Sequence, residues 1–405
     1  MSIRSKPAYV PFRLVAGCAM MAVIGLAGCT SVADISNREP VADGLSYQSQ
    51  YRSQNFLREP TNESNCNEDS AIDGAKSPIS RVAPDIERLS AGDLLEIMVG
   101  SDEMLSRSYK VSQDGTLKLP QLKPVRAAGQ TVEAVETAIM NSLVEAQLYQ
   151  TPPSVSVRVT DAAGARVFVS GAVFEPGAVV IGSVGGKDVD VARQKAMGWV
   201  ADGRRLSRAL QSAGGVRPDA DLSRVAIRRG SSKMILDVRP ALSGHPFSDM
   251  IMLTGDQVEV PSRGCFQAKL MVPSTITAPG VKIFMSNLTQ PAASNAVSAI
   301  GKETQELRYG TRFIQAIIGM NCVGGIRATN ADRSAVLFTR NPMTGESIVV
   351  SRRIEDLVQR QDRDDYNPYI LPGDALACYD SVQTSLIAVS QVFNTVASSA
   401  SLLRH

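Results

Sequence analysis

Residues 206–229 read LSRALQSAGGVRPDADLSRVAIRR, and residues 313–340 return to the same pattern as FIQAIIGMNCVGGIRATNADRSAVLFTR. Each copy begins with helix-like apolar spacing, continues with a glycine pair that suits a helix C-terminus, and ends in a β-like run closed by arginine. Later, the copies finish with LTGDQVEVP at residues 253–261 and LPGDALACY at residues 371–379. Recurrence in one order predicts an internal repeat and two similar domains.

Glycine turns separate the predicted elements. The first copy opens with VFVSGAVFEPGAVVIG, where Pro176–Gly177 predicts a turn between two strands, and the second copy has a looser equivalent from Val281 to Leu288. Glycine suits such turns because it tolerates a positive φ. The predicted turn motifs are Gly92–Asp93, Asp114–Gly115, Pro176–Gly177, Gly214–Gly215, Gly255–Asp256, Gly324–Gly325 and Gly373–Asp374.

The block from residue 85 to residue 160 predicts a small α+β domain. Apolar residues at Leu94–Val99 indicate a strand, and Asp114–Gly115 predicts a hairpin between flanking strands at 109–111 and 117–119. Thr131 is a suitable N-cap for a helix, and Val155, Val157 and Val159 alternate as in a strand. The helix prediction rests on helical spacing of Val132, Val135, Ile139, Leu143 and Leu148.

The N-terminus has the form of a lipoprotein signal peptide. Three basic residues, Arg4, Lys6 and Arg13, precede an apolar run that ends at Leu26–Cys29. Cys29 is the predicted lipid-attachment residue, since Cys18 has no apolar segment between it and the basic residues. This predicts an outer-membrane, lipid-anchored protein with a large periplasmic part.

Composition argues against several classes of function. A formal net charge of +2 without a basic block gives no reason to expect a nucleic-acid partner. His245 and His405 are the two histidines, and neither lies beside a nucleophile motif, so we expect no catalytic residues. No cysteine or histidine spacing suits a metal, and no cofactor is expected. The single Trp199 offers little aromatic surface for sugar stacking, which also disfavours a glycosidase.

Cysteine pairing stays open at this stage. Without Cys18, and with Cys29 acylated, the mature chain keeps Cys66, Cys265, Cys322 and Cys378. In an oxidising compartment these thiols either form disulfides, in one of three pairings, or stay unpaired and buried.

The arginines around the two copies allow two interpretations. One is a surface for acidic polysaccharide or an inner-membrane partner, and the other, which we favour, is solvated faces and ion pairs between subunits. The residues are Arg204, Arg205, Arg208, Arg228, Arg229, Arg352 and Arg353.

The motifs together resemble a known family. VSQDGTLKLPQL, SGAVFEPGAV, AGGVRPDAD and GDQVEVP occur in the order found in outer-membrane polysaccharide export lipoproteins of the Wza type. The resemblance implies a polysaccharide-export domain followed by two soluble-ligand-binding β-grasp domains. It also implies a ring-shaped homo-oligomer that transports capsular or extracellular polysaccharide, works with an inner-membrane polysaccharide co-polymerase and catalyses no reaction.

The C-terminal tail is uncharged from Ser381 to Leu403. As a helix it would be about 35 Å long, enough to cross a bilayer, although half of it is polar. In the context of the family, we expect an amphipathic transmembrane helix in a barrel, against the alternative of a helix docked on its own domain. Lipid-facing positions would be Val382, Leu386, Val389, Phe393, Val396 and Leu403, and pore-facing positions Gln383, Ser390, Gln391, Asn394 and Ser398.

The predicted fold class is a modular α+β chain that ends in this transmembrane helix. The alternative function is a non-spanning periplasmic lipoprotein that binds polysaccharide or scaffolds the export complex. The predicted units are a signal peptide at 1–28, a polar arm at 29–84, the export domain at 85–160, β-grasp domains at 165–262 and 266–380, and the tail at 381–405.

Overall fold

A computed structural model of the chain describes residues 87–100, 102–182, 201–287, 305–320, 322–323, 333–359 and 367–379. Apolar side chains in these ranges form three core clusters that follow one another along the chain. We call the corresponding regions the leading domain (residues 87–162), the first repeat (165–260) and the second repeat (281–379). The fold is mixed α/β, with several sheets and few helices.

The leading domain is a three-stranded antiparallel sheet covered by one helix. The strands β1 (Leu94–Val99), β2 (Asp102–Lys110) and β5 (Val155–Asp161) lie in the order β2-β1-β5, and α1 spans Val132–Glu145. Alternate residues of β1 and one face of α1 meet in the core. The buried residues of these two elements are Leu95, Ile97, Val99, Val135, Ile139 and Leu143.

The N-cap prediction for α1 is confirmed, because the Thr131 side chain accepts a hydrogen bond from the backbone N–H of Ala134 at 3.2 Å. The helix ends at Glu145, however, so Leu148 lies beyond it and is exposed. The prediction that Leu148 continues the helical spacing was therefore wrong, because the chain leaves the helix before that position.

The turn at Asp114–Gly115 is present, but the predicted hairpin is wrong. Gly115 has φ +80°, and Asp114 accepts hydrogen bonds from the N–H and hydroxyl of Thr116. The strand before the turn pairs with β1, and β3 (Thr116–Leu117) pairs with β4 (Val125–Arg126). β2 ends at Lys110, before the turn, and its pairing runs from Leu94 opposite Lys110 to Val99 opposite Asp102.

The first repeat is a five-stranded mixed sheet in the order β7-β6-β10-β8-β9, with β6 and β10 parallel and the other pairs antiparallel. Pro176–Gly177 leads from β6 into β7, as predicted. Short 3-10 segments lie at Ala201–Arg204 and Arg239–Ser243, and another follows at Ala268–Leu270. The elements are β6 (Ala165–Gly171), β7 (Gly177–Ile181), α2 (Leu206–Ser212), β8 (Val225–Arg229), β9 (Ser232–Leu236) and β10 (Gln257–Val260).

The second repeat has the same topology. Its strand order is β12-β11-β15-β13-β14, again with a parallel central pair, β11 and β15. The internal repeat predicted from the sequence is therefore confirmed. The elements are β11 (Val281–Asn287), β12 (Gln305–Leu307), α3 (Phe313–Gly319), β13 (Ser334–Arg340), β14 (Ser347–Arg353), α4 (Ile354–Gln359) and β15 (Ala375–Tyr379).

The helix starts of the two repeats also match. Leu206 at the start of α2 donates its backbone N–H to the Met250 carbonyl, and Phe313 at the start of α3 donates to the Pro368 carbonyl, both at 2.9 Å. These bonds occupy donors that a helix N-terminus would otherwise leave unpaired. The repeat thus extends beyond the strand order to the way each helix is attached.

The glycine pair after α2 is confirmed as a helix terminator. Gly214 and Gly215 have φ of +77° and +83°, and Gly215 donates its N–H to the Leu210 carbonyl. The corresponding pair after α3, Gly324–Gly325, lies outside the described residues.

One disulfide is described, between Cys322 and Cys378, and it joins the segment after α3 to the central strand β15. Cys265 is also disulfide-bonded. The described cysteines are therefore paired, and the alternative of buried free thiols does not hold for them.

The predicted signal peptide and nearly all of the polar arm lie outside the described residues, as do two sets of predicted site residues. They are the lipid-attachment residue Cys29 and the tail at 381–405 with its lipid-facing and pore-facing positions. Among the helices that the structure describes, none has the length and apolar character needed to span a membrane.

Candidate functional site

A groove of about 820 Å³ lies between the leading domain and the first repeat. It brings together three predicted turns from distant parts of the sequence: Asp114–Gly115 and Gly255–Asp256 line it, and Gly92–Asp93 follows directly after its lining residue Ala91. The Pro176–Gly177, Gly214–Gly215 and Gly373–Asp374 turns lie elsewhere. Segments 89–91, 113–116, 124–130 and 229–231, with 253–256, supply its walls.

Three Gly-Asp turns share one local geometry. In each, the glycine has a positive φ, and the buried aspartate carboxylate accepts the backbone N–H of the residue three positions earlier. This bond closes the turn and starts the strand that follows. The pairs are Ser90 N–H to Asp93 at 2.7 Å, Leu253 N–H to Asp256 at 2.8 Å, and Leu371 N–H to Asp374 at 2.8 Å.

A buried ion pair joins the two domains beneath the groove. The Arg204 guanidinium of the first repeat lies 3.0 Å from the Asp93 carboxylate of the leading domain, and the side chains are 2% and 0% exposed. Burial raises the pKa of Asp93, and Arg204 with the hydrogen bonds from Ser90 and Ala163 offsets only part of that rise. The two domains are therefore joined by a buried pair in which loss of either side chain would leave the other charge without a partner.

The second wall of the groove has its own ion pair. Arg229 binds both carboxylate oxygens of Asp256, at 2.9 and 2.7 Å, and also donates to the Ile251 carbonyl. Next to it, the backbone N–H of Thr254 donates to the Ser90 hydroxyl across the domain boundary at 3.1 Å. Both walls are thus fixed by charge-assisted or inter-domain hydrogen bonds.

The groove surface is of mixed polarity and lacks aromatic rings. None of its lining residues, all within the described ranges, is Phe, Tyr or Trp. Beside aliphatic and charged residues, it contains hydroxyl and amide side chains and glycine backbone: Ser90, Gln113, Thr116, Gln130, Ser231 and Thr254, with Gly115, Gly129, Gly230 and Gly255.

Charge in the groove does not favour hydrolysis. A glycosidase needs two carboxylates that act on one bond. The groove contains Asp256, which Arg229 holds in a bidentate ion pair, and Asp114, whose pKa is lowered by hydrogen bonds from the side chain and backbone of Thr116. A carboxylate with a lowered pKa is a poor proton donor at neutral pH. The arrangement instead suits numerous weak hydrogen bonds to a hydrated, hydroxyl-rich chain.

Several of the arginines noted in the sequence have partners within the chain, which neither interpretation anticipated. Arg204 and Arg229 form the ion pairs described above, and Arg205 donates to the Asp249 carbonyl at 2.9 Å. Arg208 contacts Gln211, and Arg353 approaches Asp356 at 4.0 Å. Arg352 is buried, while Arg228 is exposed on β8.

Sequence reasoning missed the cation that faces the groove. Arg126, on β4, is exposed, lines the groove and forms no ion pair within the part of the chain that the structure describes. A signal was present, since Arg126 follows Val125 in the short alternating run after Pro124. That run was not recognised as a strand because it contains only two paired residues.

Residues 82–160, which include one wall of the groove, match the sequence family described as polysaccharide biosynthesis/export protein. This segment of the chain is similar to the polysaccharide export family. The match covers the leading domain, so the resemblance noted in the sequence is confirmed there.

A second comparison aligns 254 residues, 61% of this chain, with the nitrogen fixation protein FixI of Bradyrhizobium diazoefficiens at 27% identity. The chain spans about 30% of the length of that protein. The alignment does not distinguish a channel from a periplasmic role.

Proposed function

We propose that this protein is the outer-membrane component of a polysaccharide export system, and that the groove between the leading domain and the first repeat contacts the polymer. The observation that carries the proposal is the family match at residues 82–160, which form one wall of that groove. The matched strand order of the two repeats supports their assignment as β-grasp domains.

The rest of the assembly follows from the family resemblance. The protein forms a ring-shaped homo-oligomer anchored by a lipid on Cys29, receives capsular or extracellular polysaccharide from an inner-membrane polysaccharide co-polymerase, and catalyses no reaction. The tail helices form a barrel through the outer membrane. A polymer must slide through such a ring, so weak and numerous contacts, as in the aromatic-free groove, serve transport better than tight binding.

A deletion strain tests the function itself. Cells that lack the protein are expected to lose surface polysaccharide and to regain it with the wild-type chain. Normal surface polysaccharide in the deletion strain would refute the export role.

The groove is tested with a bulky side chain. Ser231 is exposed and lines the groove, so Ser231→Trp is expected to obstruct it and to lower polysaccharide secretion at normal protein level. Ser108→Trp, at an exposed position of β2 outside the groove, is the matched control and should export normally. Equal secretion by the two variants would exclude the groove as a polymer contact.

The tail is tested by topology. A tag placed after His405 is expected to react with a membrane-impermeant reagent on intact cells. Val389→Asp or Phe393→Asp should abolish export while acylation and periplasmic folding persist, because a carboxylate on the lipid face is costly. Labelling only after permeabilisation, with normal export by both variants, would instead support a non-spanning lipoprotein.

A further inference from the structure

A second, smaller pocket of about 240 Å³ lies beside the first repeat, away from the groove. The loop at 220–224, the 3-10 segment Arg239–Ser243 and residues of the following segment, from Arg263 to Leu270, form its walls. Its lining includes three guanidinium groups but only one carboxylate, that of Asp221. This charge imbalance is the unusual feature of the pocket.

Two of the three arginines have their own carboxylates. Arg224 contacts Asp221 at 2.7 Å, and Arg239 binds Asp237 through two nitrogens, at 2.9 and 2.6 Å. The hydrogen bonds that Arg239 donates to Asp237 raise the pKa of Arg239. Burial raises the pKa of Asp221, but hydrogen bonds from Ser223 and Arg224 outweigh it, so this pKa lies below its ordinary value. Each of these two arginines therefore has a carboxylate partner of its own, and the lowered pKa of Asp221 keeps that carboxylate ionised at neutral pH.

Arg263 accounts for the remaining positive charge. It is half-buried, and among the described residues no carboxylate lies within ion-pair distance of it. Its guanidinium instead donates to the amide oxygen of Gln267 at 3.2 Å. Since that bond is to a neutral acceptor, the pocket retains one uncompensated cation.

The orientation of Arg263 is fixed from behind. Gln267 is buried, and its amide nitrogen donates to the carbonyls of Pro218 and Ala220 at 3.1 and 2.9 Å, so its oxygen is held toward Arg263. The backbone N–H of Arg263 donates to the Asp219 carbonyl at 2.7 Å. A cation that is positioned before a ligand arrives loses less entropy when it binds one.

We propose that this pocket binds a single carboxylate, that of an acidic sugar residue such as a uronic acid. One uncompensated guanidinium matches one negative charge, and guanidinium binds carboxylate in bidentate fashion. Leu242 and Leu270 form an apolar side of the pocket that can contact the C–H face of a sugar ring. The pocket is smaller than those that hold drug-sized ligands, which suits one monosaccharide unit. Taking the sugar to belong to the exported polymer rests on the proposed function.

The test is titration of the purified, full mature protein in detergent with glucuronate, glucose and inorganic phosphate, followed by calorimetry. Glucuronate is expected to bind with an affinity that falls as salt is added, and glucose is expected not to bind. Arg263→Gln should weaken glucuronate binding roughly tenfold or more, because a charge-assisted hydrogen bond is lost. Arg228→Gln, which removes the same charge from the exposed face of the first repeat, is the matched control and should bind as the wild type does.

Several outcomes would overturn the assignment. They are absence of glucuronate binding, equal binding of glucose, tighter binding of phosphate than of glucuronate, or unchanged binding by an Arg263→Gln protein with a wild-type unfolding midpoint. The titration and the deletion strain fail independently. Glucuronate binding together with normal export by deletion cells would refute the export function but support the pocket assignment. Lost export by deletion cells without glucuronate binding would support the export function and refute the pocket assignment.

Discussion

Asp93 and Arg204 form the most buried ion pair among the residues that the structure describes. Arg204→Met would leave the Asp93 carboxylate charged and without its cation, and breaking a buried pair in this way costs about 3–5 kcal/mol. We expect a correspondingly lower free energy of unfolding at pH 7, measured by urea denaturation. Lys118→Met removes an exposed pair with Asp114 and should leave the unfolding midpoint unchanged.

The pH dependence of this variant has a defined sign. The pKa of folded Asp93 lies above its unfolded value, so the folded state holds the proton more tightly and loses stability as pH rises through that interval. Without Arg204 the folded pKa rises further, and the interval widens. The decrease in the free energy of unfolding caused by Arg204→Met should therefore be small near pH 4 and grow toward neutrality. Adding Asp93→Asn to that variant should restore part of the stability at pH 7. A loss independent of pH would show that packing, not charge, explains it.

Single residues differ in what the sequence reveals about them. The Gly92–Asp93 and Gly255–Asp256 turns were predictable because glycine followed by aspartate is a local turn signal in the sequence. Both glycines do adopt a positive φ in the structure. The partner of Asp93 was not, since Arg204 is 111 residues away and belongs to another domain. The uncompensated charge of Arg263 was equally hidden, because it depends on which carboxylates the fold places near each arginine.

At the scale of elements, the end of α2 is the most constrained helix terminus. Gly215 has φ +83°, and a Cβ on it would overlap the backbone of Thr277 and Ala278. Gly244 has φ +70° but open space around its Cβ position. Gly244→Ala should cost about 1–2 kcal/mol, the price of a left-handed residue alone, and Gly215→Ala should cost clearly more.

Thermal unfolding of the two purified variants checks this difference. Because both variants remove a positive-φ glycine from the same region of the chain, the backbone contribution cancels in the comparison. Equal unfolding temperatures would mean that the segment at 276–278 shifts freely and does not clamp the helix end.

Elements were predictable where periodicity was long and the pairing was local. The helix α1 and the strand β5 were found from apolar spacing, because a buried face imposes that spacing directly. The hairpin at Asp114–Gly115 failed because a turn signal marks where the chain reverses but not which strands pair. Pairing was set by β1, whose alternate residues Leu95, Ile97 and Val99 all enter the core and so keep β2 beside it.

At the scale of the whole molecule, the internal repeat could be predicted from the sequence, whereas the groove could not. Two sheets with the same strand order follow from two copies of one pattern, whereas the groove exists only where the leading domain meets the first repeat. The repeats also differ on the face of the sheet that points away from the core. A register row reads Phe168, Gln257, Arg228 and Lys233 in the first repeat but Phe284, Ala375, Phe338 and Val349 in the second. Duplication has preserved the topology while the exposed chemistry has diverged.

Removal of the Cys322–Cys378 disulfide should lower the stability of the second repeat and leave that of the first repeat unchanged. Cys322–Cys378 closes a loop with a sequence separation of 56, and such a cross-link contributes about 4 kcal/mol by restricting the unfolded chain. In the double variant Cys322→Ser/Cys378→Ser, which leaves Cys265 unaltered, we expect faster amide hydrogen exchange in peptides from β13, β14 and β15. Peptides from β6, β8 and β10 serve as the internal control and should exchange at wild-type rates, because the first repeat has its own core. Equal acceleration in both sets, read by mass spectrometry, would mean that the two repeats unfold as one cooperative unit despite their separate cores.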